Sequence, residues 1–243
     1  MLFSPILLRK TSVLLIPDLI NTHILWENIM RAALKEHQDI YKAVHRAQHV
    51  QRNWNLEATM PENDVEIILE AAQQATSKQN RAFYKVHAVQ NREIIEQIHH
   101  WTRGFGTNDG RITTNPQTLA HLVLVFEKYD DPKHLPKVRH NHKWMKQELN
   151  DENYRAQLLR DQHMAVGVAA GAINITAAMM GYGTGCCACF DYDNIQSILG
   201  LDDQALLIMG IGIPGNKNRR VHHLDDSITF PTFKKEPIEV VTH

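Results

Sequence analysis

Three cysteines crowd into four positions, Cys186, Cys187 and Cys189, and thiolates at that density are candidate ligands for zinc or an iron–sulfur cluster. Tetrahedral sites usually draw on two separated ligand pairs. The chain holds no second cysteine pair, so histidines would have to complete the set. The plainer expectation is three small apolar side chains in a core, with no metal. An odd, clustered set of cysteines also does not make the spaced disulfide framework of a small secreted domain, so a cytoplasmic location is expected. Gly181, Gly183 and Gly185 look like a phosphate-cradling loop. A dinucleotide fingerprint, however, follows a strand and opens a helix, whereas these glycines follow a long helical stretch. What their spacing leaves is a tight turn poor in Cβ atoms, where backbone amides can approach a flat ligand. Basic residues gather twice, as Arg46, His49 and Arg52 and as Lys217, Arg219 and Arg220. If the fold sets these two groups side by side, they can hold a phosphate or a similar anion.

The string Arg139-His140-Asn141-His142 is similar to the short His-Asn-His motif of a nuclease family, but among 15 histidines in 243 residues so brief a pattern has little specificity. With 26 Lys+Arg against 27 Asp+Glu, the net charge is -1. The chain therefore has no overall basic field to favour a nucleic-acid backbone. A hydrophobic content of 43% in 243 residues supports a sizeable core and argues against disorder. Two segments invite a membrane reading. The first, near the N-terminus, is broken by Pro5, Arg9, Lys10, Pro17 and Asp18, well short of roughly 20 apolar residues. The second, Met164 to Phe190, carries no charge but is built mostly of Ala, Gly, Met, Thr and Asn, with few strongly inserting side chains. It reads as a helix buried on all sides, and no membrane partner is expected.

The elements that position these residues follow from periodicity and caps. Ile29, Ala33, Ile40 and Val44 mark an amphipathic helix from Trp26 to about Val50. Pro61, with Glu62, Asp64 and Glu66 in the first turns, opens a helix toward Thr76 whose inner face is Val65, Ile68, Leu69 and Ala72. Phe83 to Val89 is a strand, Asn91 caps a short helix, and Thr102 to Pro116 is a loop. Leu119 to Phe126 is a buried strand, Asp130 to Asn141 a polar excursion, and Trp144 to Arg160 a helix preceding the uncharged one. Asp191 and Gly200 bracket a further helix, and Ala205 to Ile213 is a strand ended by Pro214 and Gly215. Helices outnumber and surround strands, which implies an α+β or mixed α/β fold with the sheet covered on both faces.

Taken in order, several of these pieces resemble the FMN-dependent nitroreductase family. They are the N-terminal basic cluster, the acidic-start helix, the turn Ala75-Thr76-Ser77-Lys78-Gln79-Asn80, Gly181-Tyr182-Gly183-Thr184-Gly185 with Phe190-Asp191, and the helix ending Leu199-Gly200-Leu201. The similarity runs from about Ala43 to His222. It implies an α+β fold with a mixed sheet flanked by helices, in an intertwined homodimer with two FMN sites at the interface. It also implies a single FMN-binding domain over residues 26–243, an N-terminal arm over 1–25, and a substrate-side insertion over 126–160.

Carried over by position, Gln48, His49 and Arg52 match the motif that holds the FMN phosphate and ribityl chain, with Arg46 as the alternative to Gln48. Lys217 and Arg219 match the C-terminal basic pair. Ser77, Lys78 and Asn80 match the turn that reaches the flavin from the partner subunit. Asn115 matches a polar position near the pyrimidine edge. Cys187, Ala188 and Cys189 match the stretch along the ring, with the amide of Ala188 or Cys189 facing N5. Two positions depart from the family pattern: Val50 stands where a serine is usual, and Ala82-Phe83-Tyr84 where Gln-Pro-Trp is frequent. The implied activity is ping-pong hydride transfer from NAD(P)H to a nitroaromatic, quinone or similar acceptor. Flavin carries that chemistry without a catalytic side chain. A flavin carrier or sensor without turnover, and a reductive dehalogenase or flavin-consuming enzyme on the same fold, are the alternatives.

Overall fold

A computed structural model describes residues 37–129, 152–231 and 233–242. The expected N-terminal arm, the polar excursion and the His140-Asn141-His142 string lie outside the described residues. So do residues 26–36 of the first expected helix and 144–151 of the one before the uncharged stretch. The chain divides into compact units of residues 1–41 and 42–243. Of the first, only residues 37–41 are described, at the start of helix α1 (Gln38–Ala47).

Within the larger unit, the strands β1 (Tyr84–Val89), β4 (Leu122–Lys128), β5 (Gly183–Cys187) and β6 (Ala205–Gly212) form one sheet in the order β1-β4-β6-β5. All three pairings are antiparallel, with Val86 opposite Phe126, Leu124 opposite Met209, and Gly185 opposite Gly210. A parallel contact enters outside the named strands, at the isolated bridge between Val50 and Thr184. Strands β2 (Phe105–Gly106) and β3 (Ile112–Thr113) make a separate small ribbon inside the segment expected as a loop.

The central strand β4 explains the layering. Side chains alternate across a strand, and every residue from Leu122 to Phe126 is fully buried. Leu122, Leu124 and Phe126 face one cluster with Val65 and Ile68 of α2 (Glu62–Gln73) and Val166, Ala169 and Ile173 of α4 (Glu152–Met179). Val123 and Val125 face the other, with Ile95 and Ile98 of α3 (Arg92–His100) and Ile195 of α5 (Tyr192–Leu199). Helices therefore cover both faces, as nearly continuous apolar strands require.

The caps are those the sequence indicates. The side-chain oxygen of Asn91 accepts from the Ile94 amide at 3.2 Å, and that of Asp191 from the Asn194 amide at 3.1 Å, while Gly200 ends α5 with φ +62°. Two elements differ from expectation. Helix α4 is one continuous rod of 28 residues rather than two helices meeting near Arg160. The glycine-rich segment is a turn only at Gly181, where φ is +91°. From Gly183 onward it is strand β5, paired along its length with β6.

Candidate functional site

The segment following α1 runs as a clamped ribbon. The Gln51 amide donates to the Thr184 carbonyl of β5 at 2.8 Å. The Asn55 amide donates to Ile213 O at 3.0 Å, and the Gly215 amide to Asn53 O at 2.9 Å. These bonds fasten the N-terminal basic stretch to β5 on one side and to the end of β6 on the other. The two basic clusters, far apart in sequence, are thereby neighbours in space. Arg46, His49 and Arg219 line one cavity of about 220 Å³ together with Gln51, Asn174 and Thr184.

The walls of this cavity are tied down. The Arg46 Nη1 donates to Ala178 O at 2.9 Å, fixing it to the end of α4. Asn174 spans two elements, donating to Ala47 O at 2.9 Å and accepting from the Thr184 hydroxyl at 2.5 Å. No carboxylate lines the cavity among the described residues. Like charges crowd its lining instead, although Arg52 and Arg220 are outside the lining and act on it electrostatically. Burial, then Arg219, Arg220 and His45, lower the pKa of His49. Burial, then Arg220 and Arg219, lower that of Arg52. The Arg52 guanidinium lies 5.1 Å from the Phe230 ring centroid, a cation–π arrangement that fixes its direction. Concentrated positive charge without a carboxylate at the centre is the electrostatic signature of an anion site.

The other expected residues fall into three groups. Gln48 is exposed and 3.5 Å from His45 Nδ1, outside the cavity lining. Lys217 is turned away, its Nζ 2.5 and 2.6 Å from the Asp226 carboxylate oxygens, and it lines a different cavity with Trp54 and His223. Ser77, Lys78 and Asn80 form a turn on another part of the fold. There Ser77 Oγ donates to Arg81 O at 2.7 Å and Lys78 Nζ donates to Asp161 Oδ2 at 2.7 Å. Asn115 is 1% exposed. Its Oδ1 accepts from the Gln117 amide at 3.1 Å, its backbone amide donates to Thr102 Oγ1 at 2.8 Å, and its side chain also reaches Cys187. Asn115 thus supports β5 from behind rather than opening to a cavity.

Beyond Cys187, which is buried, Ala188 and Cys189 emerge at the end of β5 as exposed residues. The Cys189 carbonyl accepts from the Arg103 amide at 2.6 Å and from the Cys187 thiol at 3.5 Å. Contrary to the expectation of three core side chains, only Cys187 is buried, while Cys186 and Cys189 are exposed. The protein atoms packed around the two sulfurs nonetheless push the Cys186 thiol up to about 11 and raise that of Cys187, so both stay protonated near neutrality and neither is a ready nucleophile. Among the described residues, no group of three or more His, Cys, Asp or Glu side chains is arranged to hold a metal ion.

The glycines of β5 answer to packing within the chain. A Cβ at Gly183 would stand 2.9 Å from Gln51 Cβ, and one at Gly185 would stand 2.7 Å from Gln117 Cβ and 3.0 Å from Gln51 O. The Cβ-poor spacing suggests ligand approach, whereas in the fold these glycines admit the clamped ribbon on one side and the Pro116–Thr118 turn on the other. Arg220, of the same C-terminal basic group as Lys217 and Arg219, lies close enough to His49 and Arg52 to help lower the pKa of both.

Comparison with known proteins agrees with this architecture. Among solved structures, a nitroreductase family protein from Clostridium novyi NT aligns with TM-score 0.53 at 15% identity, covering 74% of this chain and 89% of its own. Nitroreductase A from Vibrio parahaemolyticus aligns with TM-score 0.54 at 18% identity, covering 74% and 68%. A Staphylococcus epidermidis protein assigned as an NAD(P)H:FMN oxidoreductase aligns with TM-score 0.55 at 16% identity, covering 82% and 92%. At these identities the likeness shows a shared fold. No curated protein matches the sequence. The Nitroreductase family profile matches residues 46–213, which spans the basic ribbon, the sheet and β6. The chain belongs to the nitroreductase family, whose members are oxidoreductases.

Proposed function

We propose that this protein is an FMN-dependent NAD(P)H oxidoreductase that works as a homodimer in the cytoplasm and reduces a nitroaromatic, quinone or similar acceptor. The observation that carries the reading is the convergence of Arg46, His49 and Arg219, with Arg52 and Arg220 in electrostatic contact, around a cavity free of carboxylates among the described residues. A phosphate monoester near neutral pH carries about two negative charges and several strong acceptor oxygens. Such a group calls for several cations held without competing carboxylates, so the residues present fit it. The resemblance to a family that uses flavin, and the fold shared with a neighbour assigned as an NAD(P)H:FMN oxidoreductase, favour FMN among phosphate-bearing ligands.

In this reading Arg52, Arg219 and Arg220 hold the phosphate, and His49 adds a donor whose charge depends on pH. Arg46 is a rigid wall because its Nη1 is already bonded to Ala178 O. Asn174 and Thr184 fix the spacing between α1 and β5. The exposed backbone of Ala188 and Cys189 supplies donors along the ring, and the Ser77–Asn80 turn of the second subunit closes the site. When bound, flavin would supply the redox chemistry between NAD(P)H and the acceptor, and ping-pong kinetics are expected. The chain accordingly needs no nucleophile, which suits the protonated thiols of Cys186 and Cys187.

The dimer is supported by α4. Its apolar side chains Met164, Val168 and Met179 are 62%, 46% and 57% exposed, beside the exposed Gly167 and Gly171, in a stretch without Asp, Glu, Lys or Arg. A contiguous apolar face of this kind marks an interaction surface. The described helices include none long and apolar enough to cross a membrane. The test is steady-state NAD(P)H oxidation by FMN-loaded protein with a nitroaromatic acceptor. Turnover with ping-pong kinetics supports the proposal, and flavin that binds but is never reduced by either nucleotide supports a carrier instead.

A further inference from the structure

The Ser77–Asn80 turn is the one place among the described residues where non-glycine side chains take positive φ, with Gln79 at +58° and Asn80 at +52°. Left-handed backbone is disfavoured for an L-residue, and asparagine tolerates it better than glutamine. Strain of this kind persists where the surroundings hold it. Three of the turn's bonds are local: Asn80 N to Ser77 O at 3.2 Å, Arg81 N to Lys78 O at 3.3 Å, and Ser77 Oγ to Arg81 O at 2.7 Å. The tie to another helix is the ion pair from Lys78 Nζ to Asp161 Oδ2 at 2.7 Å.

Asp161 stands in an unusual place. It is the last Asp, Glu, Lys or Arg before Phe190, at the border of the uncharged run of α4. Its side chain is only 14% exposed, against 45% for Lys78. A carboxylate withdrawn that far from water loses solvation and needs a paired cation to offset the loss. Lys78 provides that charge, and a cavity of about 260 Å³ lies between the turn and α4, lined by both residues with Ser77, Met164 and Val168.

Resting on the flavin reading above, we propose that Asp161 is a positioning residue: through its ion pair it sets the Lys78 ammonium, and with it the left-handed Gln79–Asn80 turn, in the arrangement that meets the cofactor. Asp161 touches no cofactor itself. If the turn of one subunit reaches the flavin of the other, as the resemblance implies, a lysine held at a fixed place there would act on both the affinity and the reduction potential of the flavin, whereas a free lysine spreads its charge over many rotamers.

The test is a double-mutant cycle on the FMN-loaded protein, with FMN affinity and the midpoint potential of the bound flavin as readouts. Asp161→Asn is expected to weaken FMN binding by about two- to fivefold, the range for a partly exposed ion pair, and to shift the midpoint potential. Asp161→Glu, which keeps the charge, should restore both. In a Lys78→Met background Asp161→Asn should change neither. Because Lys78→Met leaves the Asp161 carboxylate without its cation, urea unfolding of each variant is measured alongside, so that affinities are compared between folded proteins. Equal effects of Asp161→Asn in both backgrounds, or no effect in either, overturn the assignment while leaving the flavin reading intact. Wild-type protein that takes up no FMN overturns both.

Discussion

His99 offers a quantitative handle on the layer behind β5. It is 9% exposed, with Nδ1 3.0 Å from the Asn115 carbonyl and 3.2 Å from Thr118 Oγ1, and Nε2 2.8 Å from Thr114 Oγ1. A carbonyl only accepts, so Nδ1 carries the proton and the neutral ring is fully bonded. Burial lowers its pKa from 6.5 to about 4, with His222, His223 and His100 adding repulsion and the Asn115 carbonyl partly opposing. In the unfolded chain the ring gains a proton near pH 6.5, and in the folded protein only near 4. Across that window the unfolded state binds more protons, so His99 contributes stability that is complete above 6.5 and is lost as pH falls toward 4. A pKa lowered from 6.5 to about 4 corresponds, by linkage, to about 3 kcal/mol. Asp191 and Asp225, both lowered from 3.8, titrate below the window. His49, His121, His222 and His223 are also lowered and slope the same way, so the comparison must be a difference. Urea unfolding of wild type and His99→Gln, measured from pH 7 to pH 4, should show the wild type losing about 3 kcal/mol more than the variant. Parallel pH profiles would refute the assignment of His99 as a buried neutral ring.

Three further outcomes follow from the same geometry. Arg52→Ala and Arg219→Ala should each weaken FMN binding by about 1–3 kcal/mol, the range for a charge-assisted hydrogen bond, as read by fluorescence titration; unchanged affinity in both would remove the phosphate assignment. Because burial and neighbouring cations lower the pKa of His49 in the free protein, a phosphate beside it should raise that pKa. Binding then takes up a proton, and FMN affinity should strengthen as pH falls below neutrality. A flat profile, or the same slope in His49→Gln, speaks against His49 in the site. Gly185→Ala should lower the unfolding free energy by about 1–3 kcal/mol, since the added Cβ meets Gln117 and Gln51 in a packed layer. Gly106→Ala, where a Cβ meets nothing within 4 Å, should be close to neutral in the same denaturant titration.

What the sequence discloses and what it conceals divide along the range of the interactions involved. Asn91, Asp191 and Gly200 terminate their helices through bonds to residues a few positions away, so local patterns suffice to find them. Strands β4 and β6 are apolar on both faces and declare themselves. Strand β5 does not, because Gly183-Thr184-Gly185 has the composition of a turn. Its extended form comes from pairing with β6 and from the Gln51 and Gln117 side chains packed on it. Helix α4 reads as two pieces because its charged and uncharged halves have different patterns, although its backbone does not break between them. At the site, the types of the basic residues are legible and their directions are not. Lys217 and Arg219 are two positions apart, yet one is drawn off to Asp226 and the other lines the cavity. Asn115 is polar in sequence and sealed in space. Asp161 gives no local signal, since its meaning depends on a lysine 83 residues away.

The most direct test of the central claim joins an absorption spectrum to sedimentation of the same purified protein. The account predicts visible flavin absorption, release of FMN on denaturation, and a particle of twice the chain mass holding two flavins. A colourless protein that sediments as a single chain and takes up no FMN when supplied with it would contradict the account.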